Sequence, residues 1–355
     1  MKILFILSDM NGGGSQRVVS LLANQMSKKN DDISICTINQ TQENFRIYYK
    51  INRIKFDLKS PSFFFHKVLN NFRKIILLRK LIKENSNSVI ISFIHKTNFL
   101  VLLSSIFLKR KIIVCERNDM KKQELNFFHN FLRFSLYRFA NGVFVNLKSN
   151  IQEMSYVNKK NIFYLPNPVQ IQKKLNYKRT KTILSIGRLH PQKNYTQLIK
   201  CFKKFSKIYP EWKYLIIGKG ELNNKLLKLV TDLKLEGKVF LNGFTNPKKY
   251  LQSSSFLLFG SFYEGMPNAI LEAMSFQLPV LSSNFNGVEN LIKNNKTGFV
   301  YDITSEEDLL KKMITLASKN HSSIALEAYK KIQEFDIDNV TEKWNETIIQ
   351  INQNN

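Results

Sequence analysis

The sequence has few cysteines, and none are spaced to act together. Its three cysteines, Cys36, Cys115 and Cys201, lie far apart and form no Cys-x-x-Cys pair. A disulfide framework or a zinc site needs a paired or clustered set, so the sequence predicts neither. The scattered, odd number favours reduced thiols in a cytosolic protein.

Long apolar runs are missing as well. The longest run, Phe99–Leu108, contains Ser104 and Ser105 and is followed by three basic residues. Because a membrane-spanning helix needs about 20 apolar residues, this run is not predicted to cross a bilayer. The run Ile3–Leu7 is too short for the core of a signal peptide and is expected to be a first strand. We therefore expect a cytoplasmic chain that touches a membrane without crossing it.

Acidic residues are scarce relative to basic ones. The 355 residues include 54 Lys and Arg but only 27 Asp and Glu, which gives a formal net charge of +27. This charge indicates an anionic partner, either nucleic acid, anionic lipid or a phosphorylated substrate, and says nothing about the fold. Since single cores rarely grow beyond about 250–300 residues, two domains are expected.

Short apolar strands alternate with helical segments along the chain, a pattern typical of α/β layers with parallel sheets. The first half predicts strands at Lys2–Leu7, Ile33–Ile38, Val89–Phe93, Ile112–Cys115 and Gly142–Val145. After Pro166 and Pro168, which break regular structure and mark a hinge, a second set follows. It comprises Thr182–Ile186, Lys213–Ile217, Lys238–Leu241, Phe256–Phe259, Pro279–Ser282 and Gly298–Tyr301. We expect two α/β domains with a cleft between them and ligands beyond the carboxyl ends of the strands.

Two loops of this pattern combine glycine with the start of a helix or with basic residues. Gly12-Gly13-Gly14 separates the first strand from a predicted helix at Ser15–Lys28 and would let the backbone approach an anion. A simple tight turn explains these glycines equally well. In the loop Gly187–Asn194, Arg188 and Lys193 are able to converge on a diphosphate. The alternative is two solvated basic residues.

A third loop carries two carboxylates. Glu264 and Glu272 flank a Gly-Met-Pro-Asn turn after the strand Phe256–Phe259. Pro267 suits a first helical turn, so the helix is expected to begin near Met266 or Pro267, with Glu264 in the loop before it. Backbone amides at this helix start would then point at a diphosphate.

The segment Phe63–Lys83 interleaves basic and apolar residues. The basic ones are Lys67, Arg73, Lys74, Arg79, Lys80 and Lys83, and the apolar ones include Phe64, Val68, Phe72, Ile75, Ile76 and Leu77. This pattern predicts a basic amphipathic helix for an anionic lipid surface, and a second basic–aromatic stretch runs over Lys121–Arg138. Together the two stretches are expected to dock on a membrane and hold an acceptor's diphosphate. The alternative is an ordinary helix packed on the sheet with a solvated basic face.

These motifs, with Ile217-Gly218-Lys219-Gly220-Glu221 and Asn295-Lys296-Thr297-Gly298-Phe299, occur in one order that resembles the family 4 glycosyltransferases. The resemblance implies the α/β GT-B fold, two Rossmann-like domains whose parallel sheets face each other across a cleft. It implies an acceptor domain at 1–168, a nucleotide-sugar donor domain at 169–336, and a C-terminal helix at 337–355 that returns to the first domain. The run Cys115-Glu116-Arg117-Asn118-Asp119 resembles bacterial enzymes that extend polyprenyl-diphosphate-linked glycans.

The resemblance also implies roles for individual residues. Arg188, Lys193 and Glu264 form the catalytic set, in which the two cations neutralise the leaving diphosphate in place of a metal. The implied donor-binding set is Gly13, Gly14, Gly187, Gly218, Gly243, Phe244, Gly265, Met266, Pro267, Asn268 and Glu272. Some relatives have a histidine after the strand that matches Ile112–Cys115, where this chain has Glu116 and Arg117. These two residues are therefore the acceptor-side candidates, and Lys67, Arg73, Lys74, Arg79 and Lys80 are the membrane-side ones.

The implied function is a retaining transferase that moves a sugar, with UDP-sugars favoured, to a polyprenyl-diphosphate-linked glycan for bacterial O-antigen or capsule. We expect no cofactor and no metal, since Asp336 and Asp338 are interpreted as an acidic pair at a helix start. The expected partners are the nucleotide-sugar, the lipid-linked acceptor and the anionic inner face of the cell membrane, without nucleic acid. Two alternatives stay open: a sugar-nucleotide epimerase of the same fold, and a basic nucleic-acid-binding protein, which lacks any recognisable binding module.

Overall fold

A computed structural model of the chain describes residues 1–29, 31–40, 44–59, 64–173 and 177–353, without the side chains of residues 64–67. The chain divides into two compact units. One consists of Met1–Pro168 with Ile337–Asn355, and the other of Val169–Asp336. The division falls in the irregular segment around Pro166 and Pro168 and again just before the last helix.

The first unit contains a seven-stranded parallel sheet. Its strands are β1 (Lys2–Leu7), β2 (Asp32–Asn39), β3 (Asn52–Leu58), β4 (Val89–Phe93), β5 (Ile112–Glu116), β6 (Gly142–Val145) and β7 (Ile162–Tyr164). Their order is β3-β2-β1-β4-β5-β6-β7. The chain therefore reverses its direction of winding between β1 and β4, and ligands of open α/β sheets bind beside such a switch point. The helices of this part are α1 (Gly14–Lys28), α2 (Phe64–Glu84), α3 (His95–Ser105) and α4 (Phe127–Leu136).

The second unit repeats the plan with a six-stranded parallel sheet in the order β10-β9-β8-β11-β12-β13. Its strands are β8 (Thr182–Ile186), β9 (Lys213–Ile217), β10 (Val239–Leu241), β11 (Phe256–Phe259), β12 (Val280–Ser283) and β13 (Phe299–Tyr301). Its helices are α5 (Tyr195–Ile208), α6 (Asn223–Asp232), α7 (Lys248–Ser253), α8 (Asn268–Ser275), α9 (Glu306–Ser318) and α10 (Ser322–Ile332). The switch point lies between β8 and β11, which are paired neighbours.

The sheets are covered on both faces, which explains why their strands have continuous apolar sequences. In β1, Ile3, Phe5 and Leu7 belong to one hydrophobic cluster, whereas Leu4 and Ile6 belong to a second cluster on the opposite face. The second unit likewise has two clusters that share its strands. Alternate residues of one strand thus supply two cores.

The last helix, α11 (Ile337–Gln353), packs in the first unit. Trp344 is fully buried there; its ring stacks on Phe93 at 6.1 Å and meets the edge of Phe144 at 5.0 Å. The predicted return of the C-terminal helix to the first domain is confirmed, as are the α/β fold class and the parallel sheets. In the described part of the chain, no helix is long and apolar enough to span a membrane.

Two strands were not predicted from the sequence. β3 has the sequence Asn-Arg-Ile-Lys-Phe-Asp-Leu and lies at the edge of its sheet with only Leu58 buried. β7 is three residues long and forms the other edge. Edge strands bury only part of their surface, so they need no continuous apolar run, and that run is the signal by which the other strands were identified.

Candidate functional site

The loops after β8 and β11 form the centre of the candidate site. The two strands are neighbours in the sheet, so the residues that follow their carboxyl ends lie side by side. Lys193 comes from the first loop and Glu264 from the second, 71 residues later. The Nζ of Lys193 lies 2.5 Å from Oε1 of Glu264, and their side chains are only 17% and 12% exposed. The structure thus joins two of the three residues predicted to be catalytic in one buried ion pair.

Gln192 ties the two loops together, a contact that the sequence did not reveal. Its Nε2 donates to the backbone oxygen of Tyr263 at 2.6 Å and approaches Oε1 of Glu264 at 3.4 Å, and its own carbonyl accepts from the amide of Phe262 at 2.9 Å. Lys193 also lies over the ring of Phe259, 4.7 Å from the centroid. The carboxylate of Glu264 is therefore positioned by the β8 loop.

Close backbone contact explains two of the glycines at this edge. A Cβ on Gly218 would lie 1.8 Å from the carbonyl oxygen of Gly187, and one on Gly220 would lie 2.3 Å from that of Leu189. The loop after β9 is thereby held against the loop after β8, and the amide of Gly187 donates to Ile217 at 3.0 Å. Gly187 also leaves room for Lys193, since a Cβ there would approach its Cε to 3.2 Å.

The next loop contributes Gly243 and Phe244. The carbonyl of Gly243 accepts from the amide of Gly218 at 2.8 Å, and its φ of 63° lies in the left-handed region that favours glycine. The Phe244 side chain is 37% exposed beside it. These two residues therefore border the same group of loops as Gly187 and Gly218.

Helix α8 starts slightly later than predicted. Its first residue is Asn268, and Pro267 precedes it with φ −76° and ψ 114°. That ψ is extended, so Pro267 caps the helix instead of forming its first turn. Gly265 and Met266 are buried in the preceding loop, and Glu272 lies half-buried within α8. Among the described residues, no side chain caps this helix start, which favours an anion there.

Arg188 differs from Lys193 although both lie in one loop. Its side chain is exposed next to the carboxyl end of β8. The roles predicted for Arg188, Lys193 and Glu264 stay predictions.

The glycine turn of the first unit leads into α1. Gly13 precedes the helix in an extended conformation, Gly14 is its first residue, and no side-chain cap occurs in the described part of the chain. Asp9 accepts from the side chain of Gln16 at 3.0 Å and from the amide of Asn11 at 3.1 Å. Asp9 thus stabilises this turn through two hydrogen bonds.

Glu116 and Arg117, the acceptor-side candidates, are engaged inside the first unit. Glu116 is 2% exposed, accepts a short hydrogen bond from the hydroxyl of Tyr137, and lies 3.6 Å from Nε of Arg133. Burial raises the pKa of the Glu116 carboxyl. The guanidinium carbon of Arg117 lies 5.3 Å from the centroid of Phe93 and 5.1 Å from that of Trp344, and Arg117 donates to the carbonyl of Leu165 at 3.1 Å. Their acceptor-side role stays a prediction.

Beside them lies a buried histidine that the sequence analysis did not identify. His95 opens α3, is 8% exposed, and has its ring 5.5 Å from that of His129. Its only sequence signal is its place two residues after a buried strand. Ser92, Asn98 and Tyr137 form a hydrogen-bonded group next to it.

The predicted basic helix is α2, and its basic residues divide into two kinds. Arg73 and Lys80 are exposed, whereas Arg79 donates to the carbonyls of Ser104 at 3.1 Å and Ile106 at 2.7 Å and so caps the end of α3. Burial lowers the pKa of Lys74. The side chain of Lys67 lies outside the described residues. On the apolar side, Leu78, Leu81 and Ile82 face the core, while Val68, Phe72 and Ile76 are exposed.

The predicted acidic pair at Asp336 and Asp338 flanks the start of α11, where Asp338 accepts from the side chain of Gln25. No cluster of three His, Cys, Asp or Glu side chains that is able to hold a metal occurs within the described ranges.

Comparison with known proteins gives consistent matches. The family model described as glycosyl transferases group 1 matches residues 167–334. A Campylobacter jejuni GalNAc-alpha-(1->4)-GalNAc-alpha-(1->3)-diNAcBac-PP-undecaprenol alpha-1,4-N-acetyl-D-galactosaminyltransferase is 27% identical, over 99% of each chain. An Escherichia coli UDP-Gal:alpha-D-GlcNAc-diphosphoundecaprenol alpha-1,3-galactosyltransferase is 30% identical over 51% of this chain and 54% of its own length. A crystal structure of a mutant of TarM from S. aureus in complex with UDP superposes with a TM-score of 0.81 at 17% identity, covering 98% of this chain and 99% of that one.

Proposed function

We propose that this chain is a glycosyltransferase that extends a polyprenyl-diphosphate-linked glycan with one sugar. The match of residues 167–334 to the glycosyl transferases group 1 model, the C. jejuni relative and the GT-B fold shared with TarM support this proposal. The donor is a nucleotide-sugar, with a UDP-sugar favoured, and the product serves a bacterial surface polysaccharide such as O-antigen or capsule. The E. coli relative is named for UDP-Gal, and the C. jejuni relative for an undecaprenol-linked acceptor.

The buried pair Lys193–Glu264 is the observation that carries this proposal. Cleavage of the sugar–phosphate bond builds negative charge on the departing diphosphate, and fixed cations aimed at that charge stabilise the transition state. Lys193 supplies one such cation, and Arg188 a second on the same loop. Glu264, held by Lys193 and Gln192, is positioned for the hydroxyl groups of the donor sugar, and Glu272 for the ribose.

The mechanism that we propose needs no metal and retains the anomeric configuration. The diphosphate is neutralised by Lys193, Arg188 and the uncapped start of α8 instead of by a metal. The acceptor oxygen then bonds to the anomeric carbon on the face from which the diphosphate leaves, as the bond between that carbon and the diphosphate oxygen breaks. The departing phosphate oxygen takes up the hydroxyl proton. The glycines Gly13 and Gly14 would bring the start of α1 to the donor phosphates in the same way.

We further propose that the protein works at the anionic inner face of the cell membrane. The exposed basic residues Arg73 and Lys80 on α2 support this location, and so does the net charge of +27. We propose no nucleic-acid partner, since charge alone suggests one.

The test is transfer of a radiolabelled sugar from UDP-, GDP- and dTDP-sugars to polyprenyl-diphosphate-linked saccharides, with the anomer of the product determined by NMR. We expect transfer from a UDP-sugar with retention, and a loss of at least about 100-fold in Arg188→Ala and Glu272→Ala. Near-normal turnover in both variants contradicts the site. Conversion of the donor in the absence of any acceptor points to an epimerase instead.

A further inference from the structure

Helix α4 presents its apolar side outward. Phe127, Phe128, Phe131 and Phe134 are 87%, 61%, 55% and 50% exposed, whereas Arg133 is only 4% exposed. We refer to these four phenylalanines as the aromatic face. A surface helix normally turns its apolar residues to the core and its charges to water. In α4 only Leu132 and Leu136 pack inward, while the four phenylalanines are exposed and Arg133 is buried. Such a face indicates an apolar partner.

Basic residues flank the aromatic face at both ends of the helix. Lys121 and Lys122 precede α4, Arg138 follows it, and all three are exposed. The guanidinium of Arg138 lies 4.7 Å from the centroid of the Phe134 ring. Exposed aromatic rings bordered by cations complement a lipid with an anionic headgroup.

The inner side of α4 carries two polar residues beside Leu132 and Leu136, which pack in the core. His129 and Arg133, four residues apart, both turn towards the residues at the ends of β4 and β5. The ring of His129 lies 5.5 Å from that of His95, and 6.3 Å from that of Phe128 on the aromatic face. His129 therefore connects the exposed phenylalanines with the buried histidine.

His95 is a buried polar side chain without a visible partner. Neither of its ring nitrogens has a hydrogen-bond partner among the residues that the structure describes, although the residue is only 8% exposed. Buried polar groups are nearly always hydrogen-bonded, so both ring nitrogens of His95 are available to a hydrogen-bonding ligand.

The position of His95 favours an anion as that ligand. It is the first residue of α3, and its predecessor Ile94 provides no side-chain cap and has a φ of 74°, which is unusual for a β-branched residue. The start of a helix attracts negative charge. Burial, together with the nearby charges of Arg133, His129 and Lys96, lowers the pKa of His95 to about 4. The buried carboxylate of Glu116 is already engaged by Tyr137 and Arg133.

We propose that the diphosphate of the polyprenyl-linked acceptor binds at the start of α3, against His95, His129 and Lys96, and that its polyprenyl chain runs along the aromatic face of α4. Phosphate oxygens accept hydrogen bonds from imidazole nitrogens, an ammonium group and helix amides alike. This inference rests on the proposed function and adds the residues that distinguish a lipid-linked acceptor from a free sugar.

The binding test uses the full chain with 15N-labelled histidine and saturating UDP, so that the donor site is occupied. Inorganic pyrophosphate and farnesyl diphosphate are the two probes. We expect both to shift the side-chain resonances of His95 and His129 and to leave His321 in place. Farnesyl diphosphate should bind at least about ten-fold more tightly than pyrophosphate. Phe127→Ser with Phe131→Ser should remove that difference.

Kinetics provide the second test. His129→Gln changes a half-buried residue and should raise the acceptor KM about ten-fold while the donor KM stays constant. His321→Gln, in the other unit, is the matched control and should leave both unchanged. His95→Gln should raise the acceptor KM in the same way as His129→Gln. If His95→Gln does not fold, the acceptor KM of His129→Gln decides the test.

The outcomes separate the two proposals. Absence of transfer by the wild type to any lipid-linked acceptor refutes the proposed function. Normal transfer with unshifted His95 and His129 resonances and an unchanged acceptor KM refutes this inference alone. Equal affinity for pyrophosphate and farnesyl diphosphate overturns the path of the lipid along α4.

Discussion

Neutralising one member of the Lys193–Glu264 pair should both destabilise the second unit and abolish transfer. At the 2.5 Å separation of Nζ and Oε1, Coulomb's law with an effective dielectric constant of about 20 gives an attraction of about 7 kcal/mol before desolvation. Desolvation of the two ions offsets much of this, and breaking a buried pair typically costs about 3–5 kcal/mol. Because both side chains retain some exposure, we expect about 2–3 kcal/mol for Lys193→Met or for Glu264→Gln.

The assay is a double-mutant cycle. For a unit of this size, a loss of about 2–3 kcal/mol lowers the Tm by about 5–10 °C, which thermal unfolding resolves easily. The double variant Lys193→Met/Glu264→Gln should be less destabilised than the sum of the single variants by at least about 1.5 kcal/mol, because neither charge is then left unpaired. Its transfer activity should stay as low as that of the single variants, since the diphosphate still lacks its cation.

A surface pair is the matched control. Lys204 and Glu306 lie 3.1 Å apart but are 59% and 37% exposed, and their coupling should stay below about 0.5 kcal/mol. If the Lys193–Glu264 coupling is equally small, the pair contributes nothing beyond a solvated contact. If the double variant regains transfer, the pair stabilises the unit but does not act on the donor.

Three further predictions concern other features. Gly218→Ala places a Cβ 1.8 Å from a backbone oxygen and should destabilise the second unit by about 3 kcal/mol or more. Gly237→Ala is the control: its Cβ meets open space at a φ of 75°, and it should cost only about 1–2 kcal/mol. Equal Tm values for the two variants contradict the packing argument. Transfer should persist in EDTA, and a loss that Mg²⁺ or Mn²⁺ restores contradicts metal-free catalysis. The double variant Arg73→Gln/Lys80→Gln should sediment less with anionic vesicles than the wild type. Arg79→Gln should instead lower the Tm, because Arg79 caps α3. Unchanged sedimentation of the double variant contradicts a membrane role for α2.

Most strands of the two sheets were recognisable from the sequence because their signal is local. β8 and β11 are apolar runs bounded by polar or glycine residues, and their bounds in the structure equal the predicted ones. β3 escaped prediction because its residues Arg53, Lys55 and Asp57 interrupt the apolar pattern at a sheet edge. The glycine turn, the Arg188–Lys193 loop and the Glu264–Glu272 segment were also visible as local motifs that follow strands.

The sequence by itself determined the α/β class, most strand positions and the loops that carry the candidate chemistry, because apolar periodicity and glycine placement act over a few neighbouring residues. Only the tertiary structure decided that Lys193 is partly buried against Glu264 while Arg188 faces solvent, since strand order brings distant loops together. It also decided which way α4 faces. Helical periodicity places the phenylalanines on a different side of α4 from His129 and Arg133. Which side faces inward depends on the packing of the neighbouring strands and helices, and here His95 and Glu116 lie on the inner side of α4.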